Sequence, residues 1–202
     1  MVLLILAACS GTGKSTLGRH LRAMHPKLRL SVSHTTRAPR PGEAEGVDYH
    51  FVDRAAFEAD IERGRFVEWA EYAGNLYGTA RSTLEAAAAA GHDLLFDVEV
   101  VGAANLKRAC PEAVSCFLLP PTWAEVERRL RARGTETEAT LARRLATGRR
   151  ELAEAHTFDY LVINDVLADA VADLDAVYRA AGQRTPERLP LLDALRQAAG
   201  PA

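Results

Sequence analysis

The sequence predicts a three-layer α/β/α fold, a parallel sheet covered by helices on both faces, with a small inserted subdomain of mixed α/β structure. Three observations predict it. Val2 to Ala7 is a continuous apolar run that meets a glycine-rich turn, as a strand buried on both faces does. From Ser82 onward, apolar runs alternate with helical patterns, as crossover connections in a parallel sheet require. Residues 33–81 instead interleave charges, aromatics and glycines, which marks an insertion.

Each element follows from local pattern. After the first strand, Gly13 to Met24 places Leu17 and Leu21 four apart on a helix. Leu28 to Val32 reads as a short strand. Within the insertion, Tyr49 to Val52 and Phe66 to Tyr72 read as strands flanking a helix at Ala55 to Glu62. Ser82-x-x-Glu85 is a capping box that starts the next helix, and Gly91 ends it. Asp93 to Val98 is a strand, Ala103 to Ala109 a helix, and Ala113 to Leu119 a strand stopped by Pro120 and Pro121. Thr122 and Glu125 cap a helix running to Ala132. Thr135 and Glu138 cap an arginine-rich helix to Ala155. Tyr160 to Ile163 is the last strand and Leu167 to Ala181 a helix. A final helix, Leu189 to Ala199, follows Pro186 and Pro190.

Composition narrows the function. The chain has 202 residues, 48% of them apolar and 26% charged, which suits one soluble domain and excludes disorder. A net charge of −2 excludes a general nucleic-acid binder, which needs a basic surface. No apolar run approaches the roughly 18 residues of a membrane span. Cys9, Cys110 and Cys116 are odd in number and match no zinc spacing. A reducing, cytoplasmic setting is expected. Leu6-Ala7-Ala8-Cys9 looks like a lipoprotein cleavage box but lacks a basic segment before it. Monomer and homodimer both remain open.

The strongest motif follows the first strand. Ala8-Cys9-Ser10-Gly11-Thr12-Gly13-Lys14-Ser15-Thr16 joins a strand to a helix. Backbone N–H groups in such a loop, with the helix N-terminus, cradle polyphosphate. Lys14, one of only three lysines, reaches the β- and γ-phosphates, and the Ser15 hydroxyl is placed for Mg²⁺. The first position of the motif is Ala8 rather than the usual glycine, and a strand end provides the ordinary φ that alanine needs. Asp97, ending an apolar strand, suits the Mg²⁺ shell. A second anion site is expected at Arg37 and Arg40, guanidinium forks on a proline-stiffened segment. Farther on, Glu68, Tyr77 and Thr79 supply an acid, a phenol and a hydroxyl. Guanine offers N1 and N2 donors that suit a carboxylate, whereas adenine leaves such a site unpaired. Phe66 and Trp69 read as core, and His34 as structural.

Together, Ser31-Val-Ser-His-Thr-Thr-Arg37, Pro39-Arg-Pro-Gly-Glu43, Gly46-Val-Asp-Tyr49-His-Phe, Phe66-Val-Glu68-Trp, Tyr77-Gly78 and Arg133-Gly-Thr resemble guanylate kinase, in order and spacing, over about residues 2–180. The resemblance implies a P-loop core (1–32, 82–132 and 156–182), a GMP-binding subdomain (33–81) and a helical lid (133–155). Residues 183–202 form an extension outside it. It implies transfer from ATP to GMP, and to dGMP, with Mg²⁺, in purine metabolism. Ser10, Gly11, Thr12, Gly13, Lys14, Ser15, Thr16 and Asn164 fall at the ATP site. Ser33, Arg37, Arg40, Glu43, Tyr49, Glu68, Tyr77, Thr79 and Glu99 fall at the GMP site, with Arg37, Arg40, Tyr49 and Tyr77 on its phosphate. Lys14, Arg37, Arg133 and Arg144 are the implied catalytic cations; Arg143, Arg149 and Arg150 read as a solvated helix face. Three departures stand out. The family usually has Asp at Glu99, Gln at Val101, and Gly-Pro at Ala8-Cys9. Activity is expected to survive with an altered GMP affinity.

Two other classes share features with this pattern. Another P-loop phosphotransferase, such as a ribose bisphosphate kinase, is distinguished by its acceptor. A non-enzymatic guanylate-kinase-like scaffold loses the phosphate loop, whereas Lys14, Ser15, Arg133 and Arg144 are all present here.

Overall fold

The computed structural model describes all residues except Ser10, 133–136 and 200–202. Five strands form the main sheet: β1 (Leu3–Ala8), β2 (Leu28–Leu30), β7 (Asp93–Asp97), β8 (Val114–Leu119) and β9 (Tyr160–Ile163). Their order is β2-β7-β1-β8-β9, and every pairing is parallel. β1 is central and entirely buried. Its alternation divides the interior in two. Leu4 and Leu6 point to one face, with Leu17 and Leu21 of α1 (Lys14–Met24) and Leu174 and Tyr178 of α7 (Leu167–Ala181). Leu3, Ile5 and Ala7 point to the other, with Leu106 of α4 (Val100–Ala109), Ala87 of α3 (Arg81–Ala89) and Phe117. Each fully buried leucine contributes about 1.5–3 kcal/mol. The Leu6–Cys9 segment lies deep within this sheet and loop.

The insertion is a second sheet, ordered β4-β3-β6-β5: β3 (Ser33–Thr35), β4 (Tyr49–Phe51), β5 (Phe66–Tyr72) and β6 (Asn75–Ala80). With α2 (Arg54–Glu62) it has its own core of Phe57, Phe66, Leu76 and Ala80. Phe57 and Phe66 stack with centroids 4.5 Å apart. A Cβ on Gly78 would lie 2.9 Å from Phe57 Cζ, so this glycine lets β6 lie flat on the pair. Trp69 corrects the expectation of a core residue: it is exposed, because β5 alternates and turns Trp69 away from the face that Glu68 shares.

Several boundaries also differ from the sequence reading. β3 and β6 are strands that the sequence pattern does not announce. The helix of Ser82 starts at Arg81, with Ala80 as N-cap and no side-chain cap. The start is set instead by the backbone, where Arg81 N–H donates to Arg65 O at 2.8 Å. α4 begins at Val100, ahead of the expected Ala103, and Ala103 N–H bonds Glu99 O. α5 (Trp123–Ala132) does use Thr122, whose hydroxyl accepts from Glu125 N–H. Thr135 lies outside the described residues, but the N-cap of α6 (Glu138–Ala153) is Thr137, which accepts from Thr140 N–H at 3.2 Å. Glu138 is therefore the first helical residue rather than the third. The last helix, α8, spans Thr185–Ala199 and includes both prolines. Pro186 sits in the first turn, where a missing N–H is harmless, and the helix continues through Pro190. Among the described residues no helix is long and apolar enough to cross a membrane.

Candidate active site

The two sheets and α6 enclose a cavity of about 480 Å³, ample for small-molecule groups. Its floor is the loop between β1 and α1. Gly11 and Gly13 take φ of 92° and 90°, a left-handed geometry that suits glycine alone. Ala8 has no such requirement: among the described residues Ala73 is the only non-glycine at positive φ. The Thr12 side chain is buried and donates to Cys9 O at 2.7 Å. From below, Asn164 Nδ2 donates to Thr12 O at 2.5 Å. Asn164 is thus buried against the loop, with its amide nitrogen engaged there. A Cβ on Gly13 would fall 2.7 Å from that nitrogen. Gly13→Ala is therefore expected to lower stability by about 2 kcal/mol and transfer by at least about 100-fold. A thermal melt and an ADP-release assay read both, and wild-type turnover in the variant would refute this account of the loop.

Lys14 projects from the first turn of α1. Its Nζ donates to Val98 O at 2.7 Å and pairs with Asp97 at 2.8 Å and Glu99 at 3.7 Å. Burial pulls its pKa down, but Glu99 and Asp97 outweigh it and hold the amine above its ordinary range. Lys14 is a fixed cation. Ser15 Oγ donates to Asp97 Oδ2 at 3.1 Å, which brings the hydroxyl and carboxylate expected for a metal together. Ser10 and Arg133 lie outside the described residues. Gly11, Gly13, Lys14, Ser15 and Thr16 all line the cavity.

The opposite wall comes from the small sheet. Ser33 pairs with Tyr49 across β3 and β4, and Thr35 with Tyr77 across β3 and β6. Ser33, Arg37, Arg40, Tyr49 and Tyr77 consequently converge on the cavity. Arg37 Cζ lies 5.3 Å from the Tyr49 ring centre, and the two tyrosine rings meet edge to face at 6.0 Å. Glu43 does not line the cavity. Its carboxylate accepts from Arg37 Nη2 at 2.8 and 3.0 Å and from Arg40 N–H at 2.8 Å. Glu43 therefore orients the arginines of this wall.

Glu68 lies behind this wall, nearly buried. Burial raises its carboxyl to about 7, against two hydrogen bonds from Thr79 that lower it. Thr79 is fully buried, and its hydroxyl donates to Glu68 Oε1 at 2.8 Å. The Thr79 hydroxyl thus holds the Glu68 carboxylate in place. Glu99, N-cap of α4, lines the cavity 3.7 Å from Lys14 Nζ. Arg144 and Arg143 of α6 line it too, with Thr147, Tyr72 and Cys9. Arg143 is exposed, as expected of a solvated helix face, while also lining the cavity. Tyr72 has no sequence signal beyond its even spacing from Glu68.

A glycine-rich loop closing on a helix N-terminus, a fixed lysine and a hydroxyl–carboxylate pair define a P-loop nucleotide phosphotransferase. The comparisons with known proteins narrow the class. The family model for guanylate kinase matches residues 1–181. The guanylate kinase of Anaeromyxobacter dehalogenans is 46% identical over 99% of this chain and 92% of its own. A guanylate kinase of Thermus thermophilus is 48% identical over 91% of this chain and 83% of its own. A crystal structure of guanylate kinase from Anaplasma phagocytophilum superposes with a TM-score of 0.75 at 31% identity, covering 91% of this chain and 87% of that one. The chain belongs to the guanylate kinase family, kinases that phosphorylate GMP using ATP.

Proposed function

We propose that this chain transfers the γ-phosphoryl group of ATP to GMP, and to dGMP, in line and with Mg²⁺. One observation carries the reading: a single cavity joins the Lys14 loop to the Arg37–Tyr49–Tyr77 wall, with Glu68 behind it. Donor phosphates take the loop. The acceptor phosphate takes Arg37, Arg40, Tyr49, Tyr77 and Ser33. Guanine N1–H and its 2-amino group donate to Glu68, with Glu99 of the α4 N-terminus lining the same cavity. The acceptor oxygen needs no general base, because a phosphate monoester with a second pKa near ~6 is largely dianionic at neutral pH. Catalysis is alignment and charge neutralisation. Lys14 and Arg37 are held by their acidic partners, and Arg144 and Arg133 join them from the lid that we assign to residues 133–155. That lid excludes water, which limits wasteful hydrolysis.

The donor set fits Mg²⁺. Ser15 Oγ and Asp97 are hard oxygen donors side by side, and Mg²⁺ takes few protein ligands and keeps phosphate and water oxygens. When bound, the ion supplies charge neutralisation at the donor phosphates. We place the enzyme in the cytoplasm and in purine nucleotide metabolism, on the chemistry of its substrates.

ADP release with ATP and a panel of GMP, dGMP, AMP, CMP, UMP and ribose 1,5-bisphosphate tests the proposal. GMP and dGMP are expected to exceed AMP by about 10³-fold or more in kcat/KM, and EDTA to stop turnover. Preference for any other acceptor would remove Glu68 from its role.

A further inference from the structure

β5 turns alternate side chains to the cavity: Glu68, Ala70 and Tyr72. Tyr72 ends that row, and its hydroxyl lies 3.5 Å from Glu151 Oε1. Glu151 is buried on α6, two turns beyond Arg144 and one beyond Thr147 and Gly148, so these residues share a helix face. Gly148 is itself held: Cys9 Sγ donates to its carbonyl at 3.2 Å, and a Cβ there would meet Trp123 at 3.3 Å. The C-terminal half of α6 is therefore fastened to the phosphate loop at Gly148 and to the acceptor strand at Glu151. Its other half carries Arg143 and Arg144 to the cavity.

We propose that Tyr72 and Glu151 are positioning residues that couple occupancy of the acceptor site to the placement of Arg144 at the donor phosphates. The inference rests on the site assignment above, with GMP against Glu68 and Arg144 at the donor. A guanine seated on Glu68 fixes β5. The Tyr72 hydroxyl passes that constraint to Glu151, and α6, held at Gly148, carries it to Arg144. Burial raises the Tyr72 phenol above its ordinary range, so it remains a neutral donor throughout the working pH. Coupling of this kind is reciprocal: GMP tightens the donor nucleotide by the same factor as the donor tightens GMP.

The test is calorimetric binding of adenylyl imidodiphosphate with Mg²⁺, with and without GMP. In the wild-type chain GMP is expected to tighten the analogue about tenfold, and in Tyr72→Phe by less than about twofold. The affinity of Tyr72→Phe for each nucleotide alone stays within about twofold of wild type. Glu151→Gln keeps an oxygen that accepts from the phenol and is expected to retain most of the coupling. Three outcomes overturn the proposal: no coupling in the wild type, undiminished coupling in Tyr72→Phe, or loss of GMP affinity by Tyr72→Phe in the absence of the analogue. The last would make Tyr72 a direct acceptor contact. Failure of the site assignment is separable, since it shows as wild-type GMP affinity in Glu68→Gln whatever Tyr72 does.

Discussion

Lys14→Ala is expected to lower kcat by about 10³-fold or more while GMP affinity stays within about threefold. The amine is the fixed positive charge at the floor of the cavity, held by Val98 O, Asp97 and Glu99. In the proposed reaction, charge that develops on the transferring group then loses one of the cations that neutralise it. Most of α1 and the hydrophobic packing of Leu17 and Leu21 do not involve this amine. The fold therefore survives, and circular dichroism should match the wild type. ADP release gives the rate, and equilibrium binding gives the GMP affinity. Residual turnover within tenfold of wild type would show that the lysine is not the phosphate cation.

The second large effect is at Glu68. Glu68→Gln is expected to weaken GMP by about 100-fold or more and ATP by less than twofold. The substitution replaces one acceptor oxygen with an N–H₂ group that faces the guanine donors. A pH signature accompanies it. The free carboxyl is raised to about 7 by burial, and guanine takes the ionised form. GMP affinity therefore falls as pH drops, by about fivefold from pH 7 to pH 6 for a single group of this pKa. The nucleotide phosphate adds its own change near ~6, which is common to wild type and variant, so their difference isolates Glu68. The unliganded protein has the opposite dependence. An acid whose folded pKa is raised favours folding below the ordinary carboxylate range, and that contribution is lost as pH rises through about 7. Identical pH profiles for wild type and Glu68→Gln would count against the assignment.

The core elements were legible because burial on both faces leaves a continuous apolar run. β9 and α7 fall within the residues the pattern gave, and β1 within one at each end. The phosphate loop was legible because its glycines, lysine and hydroxyl are local in sequence. What the sequence concealed was mostly relational. β3 is three residues long, and β6 carries Asn75 and Gly78, so neither shows a strand pattern by itself. They become strands through partners in β4 and β5. Capping boxes misled twice, at Ser82 and Thr135, since strand pairing or a nearer threonine supplied the helix start. Glu43 and Thr79 lie among ligand residues in the motifs, and their bonds to Arg37 and Glu68 show only in the structure. A carboxylate that orients an arginine and one that binds a ligand look alike in sequence. Tyr72 emerges only when α6 is set against β5.

The small sheet has a hydrophobic cluster of its own, built on Phe57, Phe66, Leu76 and Ala80 and distinct from the two clusters flanking β1. In the proposed function, most of the acceptor contacts rest on this smaller core and the donor loop on the larger one. Damage confined to the smaller one erases discrimination and leaves the donor loop assembled. Water then becomes the remaining competitor for the phosphoryl group. A chain damaged in this way is expected to be a slow, indiscriminate nucleotide hydrolase rather than an inert protein, which phosphate release without an acceptor would show.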